Sequence, residues 1–182
     1  MTIKPGYIRV SEILGQWDRF GSINPDVLKR KAQIGTNVHS AINAADSGVF
    51  MPLEEGMGYF ESWELWISTT KAQIVHSELR LYDDGLKITG CVDALIKMPF
   101  NEELILVDYK TSVSESPKIW PLQAIFYYLL AKKNGYEPAD RFLFIRLDKT
   151  GKLPKIHEYK YSSYLHTICM AALACYKYIN ED

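Results

Sequence analysis

The run LILVDYKTS, residues 104–112, places Asp108 and Lys110 on either side of Tyr109, directly after four apolar residues. The apolar run reads as a strand bound for a core. Side chains alternate along a strand, so Asp108 and Lys110 share one face and Tyr109 takes the other. One run earlier, ITGCVDALI carries a single charge, Asp93, three residues after Gly90. The short PFNE link makes the two runs neighbours, which lets Asp93 and Asp108 face each other. Facing carboxylates repel, and burying them unpaired is costly. A divalent cation removes that cost, and hard oxygen ligands suit magnesium or manganese. Lys110 beside them is placed to hold or help deprotonate a water and to offset charge on a phosphorane-like transition state. Taken alone, an acid-x-Lys run also reads as an ion pair at a strand end. Asp93, at the matched position one strand earlier, favours the chemical reading.

Two further runs point to the same place. QIGTNVHSAI puts His39 four residues after Gly35 on a helix. A lone helical histidine is ordinarily a core or surface residue, yet an imidazole is a good additional ligand for manganese or magnesium near carboxylates. LQAIFYYLL puts Gln123 and Tyr127 at i and i+4, on one helical face. That helix follows the Asp108 strand, so its polar face can lie over the site; in isolation the two residues read as interface polar groups.

These residues need a frame to hold them. Residues 7–14 open with a short extended piece and a helix capped at Ser11. A second helix runs from Pro25, capped by Asn24, to Ala45, and stops at Gly48. Residues 54–70 have aromatics at helical spacing, with Trp63 and Trp66 read as core. From residue 73 the period becomes two, and QIVHSELRLY, LKITGCVDALIKM and EELILVDYKTS read as a three-stranded antiparallel meander. A helix over 118–135, a strand at 141–148, a KTGKL hairpin turn, a strand at 155–161 and a helix at 163–179 follow. The order implies a single α/β (α+β) domain over 1–182 with a central mixed sheet flanked by helices. Residues 1–70 form its helical part, 73–135 the meander and its helix, and 141–182 the closing elements.

With 21 basic residues against 22 acidic ones, bulk charge selects no partner, and any nucleic-acid surface must be a local basic stripe. No apolar run reaches the length of a membrane span, and the N-terminus lacks an apolar leader core, so the expectation is a soluble, intracellular protein. Cys91, Cys169 and Cys175 make no disulfide framework. Cys169 and Cys175, six apart in a helical pattern, read as buried free thiols, or as an incomplete metal or redox pair.

In combination the motifs resemble the PD-(D/E)xK nuclease superfamily, and in particular its RecB-like exonuclease branch. That branch carries G-x-x-x-H on an early helix, G-x-x-D on a strand, acid-x-Lys on the next, and Q-x-x-x-Y on the following helix. Here these are Gly35/His39, Gly90/Asp93, Asp108/Lys110 and Gln123/Tyr127, in that order. Glu78 in HSELRL matches an acid often found on the strand before G-x-x-D. The resemblance implies a restriction-endonuclease-like core. It also implies a Mg2+ or Mn2+ site built by His39, Asp93, Asp108 and the Tyr109 carbonyl, with Lys110 as catalytic lysine. Glu78, Gln123 and Tyr127 would position substrate or the catalytic strand. Three cysteines at unsuitable spacings argue against the iron–sulfur cluster of some members.

The expectation is therefore a metal-dependent DNA exonuclease, similar to small phage-type or mitochondrial-genome-maintenance-type enzymes. It would act on single-stranded or frayed ends in recombination, repair or replication, in the cytoplasm of a bacterial or phage-infected cell. The alternatives are a nucleic-acid-binding module on a nuclease scaffold and a structure-specific endonuclease. Trp17, Phe20, Tyr59, Phe60, Trp63 and Trp66 are candidates for walls on which unpaired bases stack.

Overall fold

The structure is a computed structural model and describes residues 3–17, 24–112 and 114–180. In chain order the elements are β1 (Ile8–Arg9), α1 (Val10–Gly15), α2 (Pro25–Asp46), α3 (Met57–Thr70), β2 (Gln73–Asp83) and β3 (Ile88–Lys97). They continue with β4 (Leu104–Lys110), α4 (Trp120–Lys133), β5 (Pro138–Arg146), β6 (Lys155–Lys160) and α5 (Ser163–Asn180).

Local chemistry sets several boundaries. The Asn24 side chain accepts the Asp26 amide at 2.8 Å, and Pro25 gives up only an amide that the first turn leaves unpaired. The buried positions Val38, Ala41 and Ile42 then repeat at helical spacing. Helix α1 is capped at Arg9, not at Ser11. Glu12 reaches back to the Arg9 amide at 2.8 Å, one half of a reciprocal cap that Ser11 does not make. Helix α3 starts at Met57 and not at 54, because Gly56 takes a left-handed conformation with φ of 90° and the chain enters the helix only after it.

The sheet is mixed. Its path is β1-β3-β4-β5-β6, with β2 on the other edge of β3. Strands β2, β3 and β4 form the antiparallel meander expected from the period-two pattern. Helix α4 is the crossover that brings β5 parallel to β4, and β6 returns antiparallel. One face of the sheet packs under α1, α4 and α5 around Val92, Leu106, Phe126 and Phe142. The other packs under α2 and α3 around Val38, Trp66, Val107 and Tyr109.

One topological detail creates the site. Strands β1 and β4 both pair with β3, at opposite ends: Ile8 and Arg9 with Ile88 and Thr89, and Ile105–Val107 with Ile96–Ala94. Between them, residues 90–93 have no strand partner on that edge among the described residues. Backbone donors left open in a sheet need other partners, and the Tyr109 amide, past the end of the β3–β4 ladder, finds one in the Asp93 side chain.

Among the described residues no helix is long and apolar enough to cross a membrane. Cys169 is buried, but Cys175 is exposed, contrary to the expectation of two buried thiols. Six residues advance a helix by about 600°, which turns Cys175 roughly a third of a turn away from the face that buries Cys169.

Candidate active site

The open window of β3 is where the motif residues meet. Asp93 stands at a break in strand phase. Val92 packs with the α4 face, Ala94 with the α2/α3 face, and Leu95 with the α4 face again. A regular strand would put residues 92 and 94 on one side. Across the ladder, Ser77 pairs with Ala94 and Leu79 with Val92, which leaves Glu78 opposite Asp93. Glu78 absorbs the irregularity with φ of 49°, a left-handed conformation that a non-glycine residue adopts only when its surroundings enforce it. The break frees both carboxylates from the regular alternation and lets them approach the helix on the α2 side.

His39 comes from that helix. Its Nδ1 lies 3.2 Å from Asp93 Oδ1 and 3.9 Å from Glu78 Oε1. His39, Glu78 and Asp93 each offer a ligand atom, all within 4.8 Å of one another, a spacing that can hold a metal ion. Helix α2 comes close to the sheet at Gly35: a Cβ there would sit a tight 3.1 Å from Thr111 Oγ1, just past the end of β4. Gly35 and His39 lie one turn apart on the same helix face.

Asp108 and Lys110 share a face, as alternation requires, and Lys110 Nζ lies 2.6 Å from Asp108 Oδ2. That contact is a close ion pair without an aligned hydrogen bond, since the same oxygen has no hydrogen-bond partner of good geometry. Gln123 ties the pair to α4. Its Oε1 accepts from Lys110 Nζ at 3.0 Å, and its Nε2 donates to Asp108 Oδ1 at 2.8 Å and to Tyr127 Oη at 3.0 Å. Asp93 Oδ2 accepts the Tyr109 amide at 2.7 Å, where the β3–β4 ladder stops. The Tyr109 ring is turned to the opposite face against Trp66, with ring centres 6.4 Å apart. Gly90 makes room for α4, for a Cβ there would fall 2.7 Å from Tyr127 Cε1.

The charges are strongly coupled. Burial opposes protonation of His39, but Asp93 first, then Asp108 and Glu78, more than offset it and raise the imidazole to about 9. Burial likewise works against ionised Asp93, yet the His39 and Lys110 charges and the Tyr109 amide hold it below the usual carboxylate range. Asp108 is pushed up to about 6, by burial and by the Asp93 charge, against the pull of Lys110 and His39. Without a cation, the proton on His39 balances the carboxylates.

All eight candidate site residues therefore lie around one window: His39 on α2, Glu78 on β2, Asp93 on β3, Asp108, Tyr109 and Lys110 on β4, and Gln123 and Tyr127 on α4. The cation-ready group is His39–Glu78–Asp93, while Asp108 is held by Lys110 and Gln123 just beside it. Sequence reasoning missed Arg80 and Cys91, which line the same cleft of about 630 Å³. They are cross-strand partners, and Cys91 Sγ lies 3.4 Å from Glu78 Oε2. Burial and the Glu78 charge push the Cys91 thiol up to about 12, so it stays neutral. Arg80, two residues after Glu78 on a period-two strand, was findable from spacing alone. Of the candidate wall aromatics, Phe60, Trp63 and Trp66 are core, Tyr59 is half-buried and Trp17 is exposed. Phe20 lies outside the described residues.

Residues 52–164 match the family model of the PD-(D/E)XK nuclease superfamily. No curated protein matches the chain. Among solved structures it is similar to a candidate exonuclease from Eubacterium rectale, with TM-score 0.50 and 10% identity over 96% of this chain and 84% of the other. The alkaline exonuclease LHK-Exo from Laribacter hongkongensis gives TM-score 0.49 and 8% identity over 96% and 87%. The protein SSO0001 gives 0.48 and 17% over 100% and 80%. At 10% identity the likeness to the Eubacterium rectale structure speaks to the fold alone. The match to the family model spans more than half of the sequence and includes Glu78, Asp93, Asp108 and Lys110; the chain belongs to the PD-(D/E)XK nuclease superfamily.

Proposed function

We propose that the chain is a divalent-metal-dependent deoxyribonuclease that degrades single-stranded or frayed DNA from its ends, serving recombination, repair or replication. One observation carries the reading: His39, Glu78 and Asp93 converge within 4.8 Å directly beside the buried Asp108–Lys110 pair. Carboxylates with one imidazole fit Mg2+ or Mn2+. Burial, and then the neighbouring Asp93 charge, push Asp108 up to about 6, and a bound cation would relieve that repulsion.

In this reading His39, Asp93, Asp108 and the Tyr109 carbonyl hold the ion, and the position of Glu78 adds a further carboxylate. The cation, when bound, supplies charge stabilisation at the phosphate and acidifies a water. Lys110, released from Asp108, orients the attacking water and offsets the negative charge that builds on the phosphate oxygens. Gln123 keeps the ammonium aimed at that point, and Tyr127 keeps Gln123 in place. A binding module on a nuclease scaffold is the weaker reading, since Asp93, Asp108 and Lys110 are all retained and adjacent.

Closed circular and linear forms of one single-stranded DNA, incubated side by side with Mn2+, test the end requirement. The linear form should be lost while the circle persists. Degradation of both at the same rate makes the enzyme an endonuclease.

A further inference from the structure

We propose that Arg146, Lys155 and His157 form a second phosphodiester site flanking Lys110, and that Glu115 fills it in the free protein. The inference rests on the nuclease reading above and adds where the strand lies and what it must displace. Lys110 pairs in register with Arg146, and Arg146 with Lys155, so three adjacent strands carry one cation each at the same level. Residues paired across neighbouring strands point to one face, and the row spans about 10 Å. A chain of phosphates crossing the strand ends would meet these cations in succession.

Glu115, in the loop between β4 and α4, reaches the far end of that row. Lys155 Nζ at 2.6 Å, Arg146 Nη1 at 3.4 Å and His157 Nε2 at 3.4 Å all close on its Oε1. The hydrogen bond from Lys155 is the main reason its carboxyl is held below the usual range. Glu115 thus presents one oxygen to three donors carried by β5 and β6. It also leaves the inaccessible His157 Nε2 without an aligned hydrogen bond. His157 is fixed edge-on to Trp120 with ring centres 5.2 Å apart, and Trp120 stacks on Phe144, so the imidazole cannot follow the carboxylate. A phosphodiester lying across these strand ends brings its non-bridging oxygens to the same donors, and charge-assisted contacts of that kind are the strong ones. Arg146 and Lys155 also line an open groove of about 210 Å³ with Tyr59 and Ser112. Lys149 and the acidic Asp148 line it too, and Tyr59 brings an aromatic side chain of the kind on which a base stacks.

Binding of a fluorescent oligothymidylate by anisotropy, in EDTA at low salt, tests the proposal without turnover. Glu115→Gln should bind about threefold tighter or more. The gain should vanish in Glu115→Gln/Lys155→Met, and Lys155→Met alone should lower the slope of log K against log salt by about one. Glu137→Gln, which removes the partner of Lys132 at 3.5 Å on the far end of α4, controls for net charge. Glu115→Gln binding no tighter than wild type, or gaining only what Glu137→Gln gains, overturns the proposal while wild-type DNA binding and cleavage leave the nuclease reading intact. A wild type that neither binds nor cleaves DNA overturns both.

Discussion

Glu78 shows how much of the site is decided by single residues. Its side chain joins His39 and Asp93, and its backbone carries the strain that lets Asp93 leave the regular strand phase. The two roles are separable. Glu78→Ala removes the carboxylate and keeps a side chain at φ of 49°, whereas Glu78→Gly removes it and accepts that conformation freely. Glu78→Gly should be more stable than Glu78→Ala by about 1 kcal/mol in urea unfolding. Both should need more Mn2+ for half-maximal cleavage. Equal stability of the two would mean that the strand break is held by something other than this residue. The role of Glu78 was only half legible in the sequence. An acid on the strand before G-x-x-D could be noted, but nothing in HSELRL announces a left-handed residue, because the φ is imposed by the pairing with β3. Asp93, Asp108 and Lys110 were legible because alternation in an apolar strand makes a lone charge conspicuous.

Among the elements, α4 holds the buried Asp108–Lys110 pair through Gln123. It can do so only because Gly90 lets it approach the sheet at the window between β1 and β4. Gly90→Ala places a methyl carbon 2.7 Å from Tyr127 Cε1 and 3.0 Å from Leu130 Cδ1, so these side chains, or the helix that carries them, must shift. The expected cost is about 1–3 kcal/mol of stability from overpacking. The rate should fall about tenfold or more as Gln123 loses its hold on Lys110 and Asp108. Wild-type rates in Gly90→Ala would show that α4 does not position the lysine. The existence and order of nearly every described element followed from period and turn residues, and α2 was framed by Asn24, Pro25 and Gly48. Starts were less readable. The cap of α1 depends on a reciprocal contact between Arg9 and Glu12, and α3 waits for the left-handed turn at Gly56. The parallel placement of β5 and the split of the β3 edge between β1 and β4 are long-range choices, made by packing and invisible to local spacing.

At the scale of the whole molecule, a net charge of −1 hides a division of the surface. Carboxylates gather at the β2–β3 side of the window, and cations line up across β4, β5 and β6. Composition could not reveal this, because strand register and not sequence proximity brings Lys110, Arg146 and Lys155 together. The arrangement suits a cation-dependent cut at one side and a hold on the phosphate backbone at the other. The most direct test follows hydrolysis of an end-labelled single strand in EDTA, Mg2+ and Mn2+ by wild type, Asp93→Asn and Lys110→Met, with circular dichroism to confirm folding. Cleavage should require the cation and fall about a hundredfold or more in each folded variant. Cleavage that persists in EDTA, or folded variants that cut at the wild-type rate, would contradict the assignment of this window as the active site.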